Sequence, residues 1–260
     1  SGEVINIRDQ ETGEYWSPTP FPAGKENSYI VRHGFGYSVF KSCKGGILTE
    51  LTVFVSINLP VKVMSLRIRN QSGRTRTLSV TGYVEWTLAE LRSKSLFYVI
   101  TETDKDSCAV FAKNPYNNEF PGRVAFLDSN IVSRTITGDR YEFIGRNRGL
   151  DKPAGMEQVH LSNKVGAGLD PCAAMQVPCE LTDGEEQEII FTLGVGKDDE
   201  DAKNLVKQTR GIGKARVMLK EVHEYWNETL NQVKIRTPDP SVDLLMNGWL
   251  IYQTITCRLW

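Results

Sequence analysis

Three successive stretches with a two-residue period constrain this chain more than any other feature. Between Ile47 and Ile57, the residues Ile47, Leu51, Val53, Val55 and Ile57 share one face, while Glu50, Thr52 and Ser56 take the other. Side chains of a strand alternate in this way. From Val61 to Asn70, Met64, Leu66 and Ile68 point one way and Arg67 and Arg69 the opposite way. The third stretch sets Leu78, Val80, Val84, Trp86 and Leu88 against Thr81, Tyr83 and Glu85. Asn70-Gln-Ser-Gly73 supplies the turn between the second and third. Long one-faced strands joined by short turns predict an antiparallel sheet covered on one side. Shorter strands are expected at 96–101, 109–112, 124–127, 131–137, 141–144, 173–181 and 188–193, with an Asp183-Gly184 turn between the last two. More than ten strands without an intervening helix predict a mainly β fold, a large antiparallel two-sheet sandwich rather than an α/β domain.

The period changes at Asp198. The run Asp198-Asp-Glu-Asp201 suits a helix N-terminus, where carboxylates meet the positive end of the dipole. The helix is expected to reach about Arg210, break at Gly211-Ile-Gly213, and resume. Ala215, Met218, Val222, Tyr225, Trp226 and Leu230 then recur at helical spacing. After an extended piece, Val233–Arg236, Asp239 can cap a third helix with Pro240 at its first position. Leu244, Leu245, Met246, Trp249, Leu250, Ile251, Ile255 and Leu259 cover nearly the whole circumference of that helix, which predicts burial on all sides. The pattern runs to Leu259-Trp260 without glycine, proline or cap. The expectation is therefore a sandwich over 1–197, a helical linker over 198–236, and a second, helical domain beginning at 237 and cut short.

Composition narrows the function classes. With 31 basic and 32 acidic residues, the net charge of -1 argues against a nucleic-acid or membrane-surface protein. No apolar run approaches the roughly 20 residues that span a bilayer, so membrane insertion is not expected. Cys43, Cys108, Cys172, Cys179 and Cys257 fit neither a disulfide framework nor a CxxC zinc pair, which predicts free, mostly buried thiols in a cytoplasmic setting. His33, His160 and His223 are scattered, and no metal site is expected.

Two stretches carry candidate site chemistry. In Tyr29–Phe40, β-formers flank Arg32 and His33 beside Gly34 and Gly36. The glycines permit a bend or a bulge, so that Arg32, His33 and Tyr37 either line a polar cleft or merely brace a deformed strand. In Lys113–Gly122, Asn114, Tyr116, Asn117 and Asn118 gather amides and a ring on one loop. Amides suit sugar hydroxyls and rings suit the apolar sugar face, and the competing account is an ordinary Asn/Pro turn. Convergence of both stretches on one edge of the sandwich is the working expectation. The proline-rich Tyr15–Pro22 segment either packs Tyr15, Trp16 and Phe21 down or offers them to a ligand. Glu85, Glu90, Glu102 and Asp104 read as surface charge rather than a catalytic carboxylate pair. No GxSxG elbow occurs, and no strand leads into Gly211-Ile-Gly213 as a phosphate loop would need.

Taken in order, IRDQETGEYWSPTP, YIVRHGFGYSVF, ELTVFV, LSVTGYVEW, NPYNNEFPGRVAF, TGDRYEFIGRN, GAGLDPCAAMQV and TPDPSVDLLMNGWLIYQTITCRLW form a series. It resembles the N-terminal region of glycoside hydrolase family 94, the inverting phosphorylases of β-linked glucosides. Within that family it is most similar to 1,2-β-oligoglucan phosphorylases and the phosphorylase-like part of cyclic β-1,2-glucan synthases. The resemblance covers essentially the whole chain. It implies a mutarotase-like super-sandwich, a helical linker and the first helix of an (α/α)6 barrel. The catalytic and phosphate-binding residues would lie on that barrel beyond Trp260, so no catalytic residue and no metal ligand transfers to this chain. No cofactor is implied; inorganic phosphate or glucose 1-phosphate would be a substrate of the parent enzyme. The implied partners are a β-glucan or oligosaccharide, the chain's own barrel and a second copy in a homodimer. The implied location is the cytoplasm, or the cytoplasmic side of the inner membrane for a synthase. An independent carbohydrate-binding module is the alternative function class.

Overall fold

The computed structural model describes residues 2–24 and 28–258. Among them the strands are, in chain order, β1 (Glu3–Asp9), β2 (Tyr15–Trp16), β3 (Tyr29–His33), β4 (Tyr37–Lys44), β5 (Ile47–Val55), β6 (Val61–Asn70), β7 (Arg76–Glu85), β8 (Ile100–Thr103), β9 (Val110–Lys113), β10 (Val124–Ser129), β11 (Thr135–Asp139), β12 (Pro171–Leu181) and β13 (Glu186–Gly196). They form two antiparallel sheets, a five-stranded one ordered β11-β12-β7-β1-β2 and an eight-stranded one ordered β3-β4-β5-β6-β13-β10-β9-β8. Long registers hold each sheet: β12 pairs β7 from Cys172↔Glu85 to Leu181↔Arg76, and β13 pairs β6 from Glu186↔Arg69 to Gly194↔Val61. The fold is a sandwich of mainly antiparallel strands with its longer helices at the C-terminal end.

The main core lies between the sheets. Ile7, Trp16, Leu66, Ile68, Leu78, Val80, Met175, Val177 and Phe191 are buried there, as the alternation in β6 and β7 requires. Covering on one side only is not what the structure shows, because the outward face of each sheet is buried too. On the eight-stranded sheet, Phe54, Val61, Val63, Phe111 and Phe126 pack under two helices, α3 (Asp199–Thr209) and α4 (Ile212–Leu230). Phe54 is 3% exposed, whereas Val55 and Ile57, assigned to the inward face, are 56% and 39% exposed. The helices reverse the gradient at that end of β5 by covering its outer side. On the five-stranded sheet, Tyr83 stacks on Phe143 at 4.7 Å and 14°, within a third cluster that includes Met156 and Leu161.

Short helices interrupt the strand series, contrary to the expectation of none. Residues 96–98 form a 3-10 turn after α1 (Arg92–Ser95), and 141–144 belong to a helix, α2 (Arg140–Ile144), rather than to strands. Asp139 accepts a hydrogen bond from Tyr141 N at 3.0 Å and so caps α2. A stretch this short has too few residues for its period to be read, and the cap decides. Trp16 packs down at 1% exposure, whereas Phe21 stays 72% exposed.

The helical segment is tied to the sandwich by buried charge. Asp198 caps α3 through Asp201 N at 2.8 Å. Beyond the C-terminal end of α3, Arg210 Nε donates to Asp128 Oδ2 at 2.8 Å, and Arg134 Nη1 donates to Oδ1 at 3.1 Å. The Asp128 side chain is 1% exposed and that of Arg134 2%. Burial holds Arg134 below its ordinary pKa, whereas the Asp128 hydrogen bond raises that of Arg210. Past Asn231 the chain re-enters helix as α5 (Pro240–Leu244), a π-turn over Leu245–Trp249 and α6 (Leu250–Arg258). Asp239 caps it through Ser241 N at 2.8 Å. Burial on all sides is not observed: Leu244, Leu245, Met246, Trp249 and Leu250 are all exposed. Leu259 and Trp260 lie outside the described residues.

Candidate functional site

The glycine pair of the Tyr29–Phe40 stretch makes a hairpin, not a bulge. Gly34 N donates to Tyr37 O at 2.9 Å, and Gly36 has φ +78°, so the chain reverses between β3 and β4. Gly36 is fixed twice over, because a Cβ there would also run into the Trp226 indole and lie 2.8 Å from Val222 Cγ1. The hairpin tip is therefore pressed onto α4. It also touches α6: Gly36 N donates to the Tyr252 hydroxyl at 3.2 Å, and the Phe35 and Tyr252 rings lie 5.1 Å apart. A Cβ on Gly248 would sit 2.8 Å from Phe35 Cζ, which keeps that position of the π-turn small.

Beside this junction lies a cleft of about 480 Å³, lined by His33, Tyr37, Ser38, Ser56, Trp226, Trp249 and Tyr252 among others. Its aromatic wall is continuous, with Trp226 and Tyr252 at 4.6 Å and Trp249 and Tyr252 at 6.4 Å. His33 Nδ1 is within 2.9 Å of Ser38 Oγ, so the imidazole is oriented but exposed. The Tyr37 and His223 rings lie 4.6 Å apart with a 40° tilt between their planes. The Arg32 side chain is exposed, has no hydrogen bond or ion pair among the described residues, and is not among those that line the cleft. Aromatic faces with hydroxyls and an imidazole can take a polyhydroxylated ring, stacking its C–H face and bonding its hydroxyls. Among the described residues, no group of three or more His, Cys, Asp or Glu side chains is placed to hold a metal ion.

Asn114, Tyr116 and Asn117 are elsewhere. They follow β9, near the far edge of the eight-stranded sheet, with β5, β6, β13 and β10 standing between β4 and β9. The expected convergence with Arg32 and His33 does not occur. Asn114 Nδ2 and Asn117 Nδ2 both donate to Leu88 O at 3.0 Å, and their amide oxygens cap Tyr116 N, Glu119 N and Phe120 N. These amides are spent on the loop, as in an ordinary Asn turn. Tyr116 remains 70% exposed, with its ring 4.9 Å from that of Tyr98.

The sequence signature described as the glycosyl hydrolase 94 supersandwich domain matches residues 1–212, and that of the glycosyl hydrolase 94 catalytic domain matches residues 225–260. The chain belongs to the glycosyl hydrolase 94 family. The cyclic β-(1,2)-glucan synthase NdvB of Rhizobium meliloti (strain 1021) is 32% identical over 262 residues, 99% of this chain and 9% of that protein. The N,N'-diacetylchitobiose phosphorylase of Vibrio furnissii is 28% identical over 270 residues, 100% of this chain and 33% of that enzyme. The chain thus spans a third or less of these relatives. A bacterial glucoamylase solved with acarbose shares the fold, with TM-score 0.53 at 13% identity over 88% of this chain and 32% of that one.

In this glycosyl hydrolase 94 chain the hairpin tip, from the stretch with the supersandwich signature, meets Trp226, Trp249 and Tyr252, which lie in the stretch with the catalytic-domain signature. Trp226 and Trp249 read from sequence as helix-packing residues, and Tyr252 falls outside the apolar set altogether. The available signal was spacing, since Trp249 and Tyr252 are three apart and share one helix face.

Proposed function

We propose that this chain is the non-catalytic sandwich portion, with the first helix of the barrel, of a β-glucan-active phosphorylase or cyclic β-1,2-glucan synthase. Its role is to brace the barrel, and Arg32, His33 and Tyr37 present the sugar-facing edge. The observation that supports this reading most directly is the docking of the Phe35-Gly36 tip on Gly248 and Tyr252. The exposed apolar face of α5 and the π-turn agrees with it, because an apolar patch of that kind marks an interface. On the same reading the full-length protein is a cytoplasmic or membrane-associated homodimer that acts on β-glucan with phosphate or glucose 1-phosphate as co-substrate. No described helix is long and apolar enough to cross a membrane.

The test uses the full-length protein. His33→Ala is expected to raise KM or lower kcat with an unchanged Tm, the signature of a group that meets substrate. A lowered Tm with normal kinetics per folded molecule would make His33 a hairpin brace and sink the sugar-facing part. Gly36→Val is expected to lower Tm, because it forces the tip off Trp226. Residues 1–260 alone are expected to show no phosphorolysis of β-1,2-glucan.

A further inference from the structure

The outer face of the five-stranded sheet carries a polar row that its apolar cluster does not account for. Ile5, Ile7, Val80, Met175 and Val177 point into the inter-sheet core, so Asn6, Thr81 and Gln176 point outward. The register places Asn6 opposite Thr81 and Thr81 opposite Gln176. Asn6 and Thr81 are 0% exposed and Gln176 3%. Nevertheless both amide atoms of Asn6, the Thr81 hydroxyl and the Gln176 amide nitrogen lack a hydrogen-bond partner among the described residues. Each such group costs about 1–3 kcal/mol if left unpaired. Thr135 Oγ1 lies 3.2 Å from the Gln176 amide oxygen and itself accepts from Leu161 N at 3.1 Å. The Gln176 amide is thereby oriented, with its nitrogen left as the free donor.

Gln176 lines a cavity of about 370 Å³ between β7, β12 and the 133–135 and 159–160 segments. A single structural water needs only roughly 10–15 Å³, and small-molecule sites begin near 300 Å³. Ser79 and Gln10 share the cavity, with Pro178 and Val159 as apolar walls and His160 beside them. Ser79 Oγ accepts from Gln10 Nε2 at 2.5 Å, which frees its own hydrogen for a ligand, and the Arg8 guanidinium holds the Gln10 amide oxygen. Arg134 also borders the cavity, but its Nη1 and Nη2 are committed to Asp128 and to the carbonyls of Ser107 and Ser129, which leaves Nε as its one nitrogen without a partner among the described residues. The lining therefore offers oriented neutral donors and two apolar walls, with no carboxylate.

We propose that this cavity binds a neutral sugar ring. The ring's hydroxyl oxygens accept from Gln176 Nε2 and Ser79 Oγ–H, and its C–H face lies on Pro178 and Val159. A carboxylate or phosphate ligand is disfavoured because the arginine bordering the cavity already has the buried Asp128 as its counter-ion. The site is on the five-stranded sheet, whereas α3, α4 and the aromatic cleft are on the eight-stranded one, so it stands independently of the role assigned to His33. The experiment titrates the chain with D-glucose and with sophorose, the β-1,2-linked disaccharide, and follows amide shifts by NMR. Saturable shifts at Gln176 and His160 are expected. Gln176→Leu should weaken binding about tenfold, Val159→Glu at the exposed wall should do likewise, and Trp249→Ala should leave these shifts unchanged. Should Gln176→Leu fail to fold, Val159→Glu decides alone. The absence of saturable binding of either sugar, or binding that survives Val159→Glu, overturns the proposal.

Discussion

Helix α4 and the helix that begins at Pro240 look alike in composition, yet the structure treats them differently. In α4, Ala215, Met218, Val222, Trp226 and Leu230 recur every three or four residues and are all buried. Their opposite face, with Val217 at 57% exposure and Tyr225 at 40%, meets solvent. From Pro240 onward only one side, through Ile251, Tyr252 and Ile255, packs on the same cluster. Leu244 at 77% and Trp249 at 46% exposure remain largely uncovered. A stripe of about 100° is a complete instruction to dock on one sheet, whereas apolar residues all round ask for partners on several sides. The sandwich answers the first demand in full and the second on one side only. The hairpin tip is the hinge of this contrast, since Phe35 and Gly36 touch both helices.

Removing the shared partner should break the contrast most forcefully. Trp226→Ala is expected to destabilise the chain by about 3–5 kcal/mol, the usual cost of truncating a buried aromatic. Trp226 is 7% exposed and supports both Gly36 and Tyr252. A fall in the urea midpoint worth less than about 1 kcal/mol would mean that α4 does not hold the tip.

Acid should loosen the α3 attachment next, and by less. Burial alone would push the Asp104 carboxyl up, but hydrogen bonds from Ser107 and the Lys203 ammonium at 3.2 Å hold it below the ordinary value. Asp9 is similarly lowered against burial, by Arg76 and by the amides of Thr12 and Glu11. A depressed carboxyl contributes stability that is complete above the unfolded-state value of about 3.9 and disappears as pH falls through the folded-state value. Tm should therefore be flat from neutral pH down to about 5 and decline below about 4. Asp104→Asn should shrink that decline. An undiminished decline in the variant would remove Asp104 from the account.

The sandwich was legible because period two repeats over nine or ten residues in β5, β6 and β7, long enough for sterics to leave one reading. The caps at Asp198 and Asp239 were legible for the same local reason. Two kinds of information were not available in that way. Short segments such as 96–98 and 141–144 have no measurable period, and the Asp139 cap that decides the second lies at the end of a strand. Outer-face burial at Phe54, Val61 and Val63 depends on α3 and α4, which are more than a hundred residues away. At the candidate site, His33 and Tyr37 were legible together because they are near neighbours in the chain, whereas Arg32 is not among the residues that line the cleft. Their separation from Asn114 and Asn117 follows from β13 inserting between β6 and β10, a long-range pairing that no local pattern encodes. The five cysteines are free, yet only Cys172 and Cys179 are buried, where burial pushes the Cys172 thiol up and that of Cys179 to about 12. Cys43 and Cys257 are exposed, which corrects the expectation of mostly buried thiols.

The smallest expected effect sharpens the contrast best. Leu244 and Leu245 are 77% and 44% exposed, and neither belongs to the cluster beneath α6. Leu244→Ser with Leu245→Ser should therefore change the stability of residues 1–260 by no more than about 0.5 kcal/mol, the range for surface positions. The same pair should reduce self-association at high concentration, because it removes two members of an exposed apolar patch. In the full-length protein, where the rest of the barrel is proposed to close over this face, the pair becomes a core substitution and should cost about 2–5 kcal/mol. Comparing urea midpoints of the two lengths measures the difference directly. Equal costs in both would mean that the apolar face of this helix is not what the barrel packs against, and the bracing role would then rest on the Phe35-Gly36 tip alone.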